Sequence, residues 1–165
     1  MSVPRRQVGI LATVLTLAAL ALWFQRWSLD GVQGILLTAL LHQDTAYAAG
    51  YSDQAFRSVR IGMNEAQVQS LLGPPIGIRW TYRASERCSS VYVRNGKVRS
   101  WLYDDCIKLG IREGLPVGDV ERLLGAPDEA YWFYSESPGD TNYRERVVRL
   151  SKGRVIEVIK GWYLD

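Results

Sequence analysis

The stretch Arg60–Tyr82, RIGMNEAQVQSLLGPPIGIRWTY, recurs 52 residues later as Arg112–Tyr134, REGLPVGDVERLLGAPDEAYWFY, in a chain of 165 residues. Nine of the 23 aligned positions are identical, whereas chance would supply about one or two. The identical pairs are Arg60 with Arg112, Gly62 with Gly114, Val68 with Val120, Leu71 with Leu123, Leu72 with Leu124, Gly73 with Gly125, Pro75 with Pro127, Trp80 with Trp132 and Tyr82 with Tyr134, and Met63 is matched by Leu115. The constant offset indicates two copies of one supersecondary unit.

Each copy begins with a short helix. Asn64 is a favourable N-cap, and Gln67 three residues later completes a capping-box pattern. The apolar residues that follow recur at i, i+3 and i+4, which is typical of one helix face. Gly73 then predicts the helix end, and in the second copy Pro116 predicts the start and Gly125 the end.

Strands follow each helix. Residues 78–83 alternate between apolar and polar side chains, and Asn95-Gly96 is the preferred pair for a two-residue hairpin turn. The hairpin register then places Val93 opposite Val98 and Val91 opposite Ser100. The second copy repeats this plan around Lys152-Gly153. Each copy is therefore predicted to be an α+β unit, with short helices packed on its own three- to four-stranded antiparallel sheet.

The predicted hairpin has two chemically different faces. The face expected to pack on the helix carries Val91, Val93, Val98 and Leu102, and the other carries Tyr92, Arg94, Lys97, Arg99, Trp101 and Tyr103. Aromatic residues and arginine are enriched at protein-binding hot spots. Two interpretations stay open: a partner surface formed by Tyr92, Arg94, Arg99, Trp101 and Tyr103, or burial of these rings between the repeats.

The N-terminal segment differs from the rest in composition. Residues 8–24 carry no charge and extend about 26 Å as a helix, near the short end of the transmembrane range. Arg5 and Arg6 precede this run, so the positive-inside rule places the N-terminus inside and the remainder outside, in the bacterial periplasm. We expect an uncleaved single-pass inner-membrane anchor with Trp23 at the interface. A cleaved signal sequence, which would leave a secreted or periplasmic protein, and a buried helix are the alternatives.

The predicted organisation thus has four segments. Residues 1–27 form the anchor or signal sequence, and residues 28–50 a juxtamembrane helix and linker, because the apolar stretch 31–41 is too short to span a membrane. Residues 51–105 and 106–165 are the two repeats. The predicted fold class is an N-terminal transmembrane helix followed by two tandem α+β units.

Composition gives little support for catalysis or nucleic-acid binding. The net charge of +3 is too mild to indicate a nucleic-acid partner. His42 is the single histidine, so a histidine-based triad or a multi-histidine metal site is excluded. We therefore predict no enzyme activity, no cofactor and no metal. Cys88 and Cys106 are the two cysteines, and we predict a disulfide between them, with two buried thiols as the alternative.

The Gly-Met, Leu-Leu-Gly-x-Pro and Trp-x-Tyr elements, followed by a hairpin, resemble the SmpA/OmlA, or BamE-like, domain family. Residues 61–103 match this pattern in full, and residues 113–164 are similar. Two such units in tandem also resemble the architecture of beta-lactamase inhibitor proteins. The resemblance implies a non-enzymatic protein-binding or scaffold domain of the cell envelope, linked to outer-membrane protein assembly through an envelope protein partner. The alternative is a secreted inhibitor of an extracytoplasmic enzyme.

Overall fold

The computed structural model describes residues 5–27, 29–82, 88–139 and 141–164. The helices are α1 (Arg5–Trp27), α2 (Gly31–Leu40), α3 (Asp53–Ser58), α4 (Glu65–Leu72), α5 (Asp105–Lys108) and α6 (Val117–Leu124). The strands are β1 (Ala46–Tyr47), β2 (Gly77–Thr81), β3 (Ser90–Arg94), β4 (Lys97–Leu102), β5 (Glu129–Phe133), β6 (Ser135–Glu136), β7 (Tyr143–Ser151) and β8 (Arg154–Tyr163). Two compact units result, Met1–His42 and Gln43–Asp165.

The first unit consists of α1 and α2, which contact each other. Helix α2 corresponds to the helix predicted over residues 31–41. Within the part of the chain that the structure describes, no helix combines the length and the apolar character needed to cross a membrane. This finding overturns the N-terminal transmembrane helix in our predicted fold class.

The physical reason is the limited length of the apolar run. Helix α1 gains its full extent by including Arg5, Arg6 and Arg26. Its uncharged run, residues 8–24, extends about 26 Å, whereas the hydrocarbon core of a bilayer is about 30 Å thick. The uncharged run is therefore shorter than the hydrocarbon core that we predicted it to cross.

The second unit is built on one antiparallel sheet of six strands, in the order β4-β3-β2-β5-β7-β8. The first repeat contributes β4, β3 and β2, and the second contributes β5, β7 and β8. Strands β2 and β5 pair at the centre, and β1 pairs with β6 in a separate two-stranded sheet. Our expectation that each repeat has a sheet of its own is wrong, because the central strands satisfy each other's backbone hydrogen bonds across the repeat boundary.

The register of this central pair preserves the symmetry of the repeat. Arg79 pairs with Tyr131, its counterpart 52 residues later. On either side, Ile78 pairs with Trp132, and Trp80 pairs with Ala130. When each residue is replaced by the residue 52 positions away in the other repeat, the pair Ile78–Trp132 becomes the pair Ala130–Trp80. A local two-fold axis therefore passes between Arg79 and Tyr131.

The segment before α4 joins the hairpin of the other repeat. The Gly62 N–H donates to the Val155 carbonyl, and the Val155 N–H donates to the Met63 carbonyl, both at 2.8 Å. In the other half, the Gly114 N–H donates to the Val98 carbonyl, and the Val98 N–H donates to the Leu115 carbonyl, each at 2.9 Å. The repeats thus exchange their helices, and for this reason residues 51–105 and 106–165 belong to one compact unit.

The local signals act as predicted in both copies. The Asn64 Oδ1 accepts from the Gln67 N–H, and the Gln67 Oε1 accepts from the Asn64 N–H, each at 2.9 Å, so the capping box is present. Asn95 and Gly96 have φ values of 52° and 70°, as a two-residue hairpin turn with the right-handed sheet twist requires. Pro116 is the N-cap of α6.

The other repeat-motif residues form much of the core. Val68, Leu72 and Val120 are fully buried, whereas Leu123, a member of the predicted apolar stripe, is 48% exposed. The buried aromatic members of the motif are Trp80, Tyr82, Trp132 and Tyr134. These side chains stabilise the fold by burying apolar area, so the motif is structural.

One β-bulge changes the predicted hairpin register. Val93 pairs with Val98 as expected, but Val91 pairs with Trp101 instead of Ser100. Tyr92 pairs with Ser100, which leaves Arg99 as the extra residue of β4. Because one inserted residue reverses the side on which each later side chain lies, the positions predicted for Trp101 and Leu102 are interchanged.

The structure joins Cys88 and Cys106 in a disulfide with a Cα–Cα distance of 4.7 Å. Both cysteines are fully buried. Cys106 lies in α5, beyond the end of β4, where the positive φ of Tyr103 turns the chain back toward the sheet. The disulfide therefore connects α5 to Cys88, two residues before β3 begins.

Candidate functional site

The two faces of the six-stranded sheet have different surroundings. On one face, a cavity of about 450 Å³ lies between α4 and α6. The apolar sheet residues that line it are Ile78, Trp80, Ala130, Trp132 and Leu150. Alternation along the strands directs their neighbours to the opposite side. We call this opposite side the open face and define it by Arg79, Tyr92, Tyr131, Phe133 and Arg149.

A continuous row of side chains crosses the open face. Strand pairing connects Tyr92 to Arg79, Arg79 to Tyr131, Tyr131 to Arg149, and Arg149 to Glu157. Directly paired residues of an antiparallel sheet lie on the same face. The row therefore alternates between aromatic rings and guanidinium groups from β3 to β7 and ends at a carboxylate on β8.

Arg79 lies at the centre of this row, beside the local two-fold axis. Its side chain is exposed, and its Cζ lies 4.7 Å from the Tyr131 ring centroid and 5.4 Å from that of Phe133. A guanidinium within about 6 Å of an aromatic ring is attracted by the ring quadrupole. Arg79 forms no ion pair with any residue that the structure describes.

Tyr92 packs beside this centre. Its ring meets Phe133 edge-on at 5.9 Å between centroids. A Cβ atom at Gly77 would lie 2.1 Å from the Tyr92 hydroxyl, so only glycine leaves room for this ring position. Burial raises the pKa of Tyr92 above its ordinary value, and the nearby Glu136 acts in the same direction. Tyr92 is therefore a neutral hydroxyl donor near physiological pH.

Two other arginines on this side of the sheet form ion pairs within the protein. The Arg149 guanidinium contacts Glu129 at 2.8 Å and Glu157 at 2.9 Å, and hydrogen bonds to these carboxylates raise its pKa. Arg94 forms an ion pair with Glu136 at 2.8 Å. These pairs hold their side chains in place on the face, whereas Arg79, near its centre, forms no ion pair with the residues that the structure describes.

The five residues predicted from the hairpin do not share one face. Tyr92 lies on the open face, and Arg94 reaches Glu136 from the end of the same strand. Trp101 pairs with the buried Val91 and therefore lies on the helix side of the sheet. Arg99 is the bulge residue and contacts Glu113 at 3.5 Å. Tyr103 lies beyond β4 and is 60% exposed.

Four residues of the open face were missed in the sequence: Arg79, Tyr131, Phe133 and Arg149. A signal for the first three was present, because Arg79 alternates with Trp80, and Tyr131 and Phe133 flank Trp132. Once the tryptophans are assigned to the core, their neighbours must point outward. The proximity of Arg149 depends on the pairing of β5 with β7, which has no local sequence signal.

Side chains of the open face also line a groove. A shallow groove of about 460 Å³ is lined there by Arg79, Thr81, Ser90, Leu102, Tyr131 and Arg149, among others. Among the residues that the structure describes, no group of three His, Cys, Asp or Glu side chains could hold a metal ion. The groove offers aromatic rings, hydroxyl groups and guanidinium groups, and the Glu129 carboxylate that also lines it is paired with Arg149.

No family model, no curated protein and no solved structure matches this chain. The resemblance to SmpA/OmlA domains therefore stays a prediction.

Proposed function

We propose that this protein is an extracytoplasmic protein-binding or scaffold domain whose open face binds another envelope protein. The observation that carries this proposal is the row from Tyr92 to Arg149, an alternation of tyrosine and arginine across one face of the sheet. Tyrosine and arginine are two of the three residue types most enriched at binding hot spots. The role in outer-membrane protein assembly belongs to this proposal.

The disulfide supports an extracytoplasmic location. Cys88 and Cys106 are joined and fully buried. Structural disulfides form and persist in the periplasm and outside the cell, whereas cytosolic thiols are kept reduced. We propose the periplasm as the compartment in which the domain acts.

Rigidity also supports a binding role. Tyr131 is flanked by Arg79 at 4.7 Å and Arg149 at 5.3 Å, and Arg149 is itself held by two carboxylates. Side chains that are already ordered lose less conformational entropy when a partner binds. The central row is thus suited to bind a folded partner without rearrangement.

Site-specific photo-crosslinking tests the proposed surface. A benzoylphenylalanine at Tyr131 is expected to crosslink an envelope protein in intact cells, whereas the same group at Leu123, an exposed residue of α6, is not. The crosslinked protein is then purified and its affinity for the chain measured. The Tyr131→Ala variant should bind at least about tenfold more weakly, and Leu123→Ala should bind normally.

Three results would contradict the proposal: crosslinks only between copies of this chain, equal crosslinking from both positions, or an unchanged affinity of Tyr131→Ala. An enzyme that is captured at Tyr131 and loses activity on binding would identify the protein as an inhibitor, which is the alternative function.

A further inference from the structure

We propose that Arg79 binds an acidic side chain, aspartate or glutamate, that the partner protein presents to the centre of the open face. This inference rests on the proposed function, since it names the chemistry that the same surface recognises. It starts from the contrast among the guanidinium groups of this face. Arg149 and Arg94 have carboxylate partners within the chain. Arg79 is exposed and forms no ion pair with any described residue.

The position of Arg79 favours a carboxylate ligand. Its guanidinium is held against Tyr131 and Phe133, so its charged group is positioned while its N–H donors remain available. Guanidinium groups bind carboxylates through two parallel hydrogen bonds, and these charge-assisted bonds are stronger than neutral ones. The Ser90 hydroxyl lines the same groove and can donate to a bound carboxylate.

The shape of the groove and the hydrogen bonding of its backbone favour a side chain over a chain terminus as the source of the carboxylate. The groove is open and shallow. Most of its lining residues lie in strands and pair with their neighbours in the sheet, and the two outside the strands, Tyr82 and Ser89, are joined by a backbone hydrogen bond of 2.9 Å. Capture of a chain terminus commonly uses free backbone N–H groups. A projecting aspartate or glutamate, with neighbouring apolar atoms over Tyr131 and Leu102, fits this surface.

Synthetic peptides provide a test that does not require the natural partner. The probe is a five-residue peptide that alternates glutamate and tyrosine and is blocked at both ends. The comparison peptide has glutamine in place of each glutamate, and a third peptide is this glutamine form with a free C-terminal carboxylate. Binding is followed by NMR, through the Arg79 Nε–H signal and the backbone amides of β2 and β5.

The glutamate peptide should shift the Arg79 signal saturably and bind about tenfold more tightly than either glutamine peptide. Arg79→Gln should abolish this preference, and Arg79→Lys should restore part of it because the charge remains. Arg122→Gln serves as the matched control, since Arg122 is an exposed arginine of α6 paired with Asp119. It should leave the preference unchanged.

Equal binding of the glutamate and blocked glutamine peptides, no shift of the Arg79 signal, or an unchanged preference in Arg79→Gln would overturn the inference. A preference for the free C-terminal carboxylate would also overturn it, because the source would then be a chain terminus. Each of these outcomes leaves the crosslinking test at Tyr131 intact. Conversely, failure of that crosslinking with a positive peptide result would contradict the proposed function alone.

Discussion

Tyr82 and Tyr134 occupy equivalent positions in the two repeats and differ in one hydrogen bond. The Tyr134 hydroxyl donates to the Gly73 carbonyl at 3.3 Å. The Tyr82 hydroxyl is buried and has no hydrogen-bond partner among the residues that the structure describes. Burial raises the pKa of both phenols above the ordinary value, so both stay protonated at neutral pH.

We predict that Tyr134→Phe lowers the free energy of unfolding by about 1 kcal/mol, because it removes a buried hydrogen bond. Tyr82→Phe removes a buried hydroxyl without a partner and should be neutral or slightly stabilising. Urea denaturation of the two variants makes the comparison, each acting as the control for the other. Equal losses would contradict the assigned hydrogen bond.

The tertiary structure requires glycine at position 77. We predict that Gly77→Ala destabilises the protein by about 1–3 kcal/mol, because its methyl group would overlap the Tyr92 ring. Thermal unfolding measures this effect, and Gly161→Ala is the control, since a Cβ there meets nothing within 4 Å. In a Tyr92→Ala background the cost of Gly77→Ala should disappear. A cost that persists there would show that another contact is responsible.

At the scale of elements, the two equivalent helices begin differently. Helix α4 has a complete capping box at Asn64, whereas α6 begins at Pro116 without a side-chain cap. Proline restricts the backbone before α6, but the reciprocal hydrogen bonds before α4 satisfy two donors directly. The stability of α4 thus depends more strongly on one side chain.

We predict that Asn64→Ala lowers the free energy of unfolding by about 1 kcal/mol, since it leaves the Gln67 N–H without its acceptor. Ser70→Ala, at an exposed position of the same helix, is the control and should be neutral. Chemical denaturation gives both values. If the two variants proved equally stable, the cap would have no net effect on the fold.

At the scale of the whole molecule, the disulfide closes a segment of 18 residues that contains the first hairpin. We predict that the double variant Cys88→Ala/Cys106→Ala loses about 3 kcal/mol of stability, because its unfolded state is less constrained. Denaturant unfolding with and without a reducing agent provides the measurement. Reduction should weaken the natural protein and leave the variant unchanged. A natural protein that is insensitive to complete reduction would contradict this role.

The exchange of helices predicts that neither sequence repeat folds alone. Fragments 51–105 and 106–165 each lack the hairpin against which their own helix begins. Both should be unfolded by circular dichroism when separate and should regain ellipticity when mixed. Fragment 76–125, which keeps the contact of α6 with its hairpin and the disulfide, is the matched comparison and should retain more structure. Cooperative unfolding of fragment 51–105 alone would contradict this prediction.

Much of the local structure was predictable from the sequence, because its causes lie within a few residues. The Asn64 cap, the Asn95-Gly96 turn and the strand of alternating residues around Trp80 are local effects of side-chain hydrogen bonding, allowed backbone angles and apolar periodicity. The bulge at Arg99 was not predictable, because an inserted residue leaves no composition signal. That single residue moved Trp101 away from the surface to which we assigned it.

The sequence by itself determined the repeat, its helices, turns and strands, and the two cysteines available for pairing. Only the tertiary structure decided that the two repeats share one sheet and exchange helices, and that Arg79, Tyr131 and Arg149 form a row across it. Local elements depend on near neighbours along the chain. The pairing of β2 with β5 instead depends on which distant edges can satisfy each other's backbone groups and bury the tryptophans on a common face.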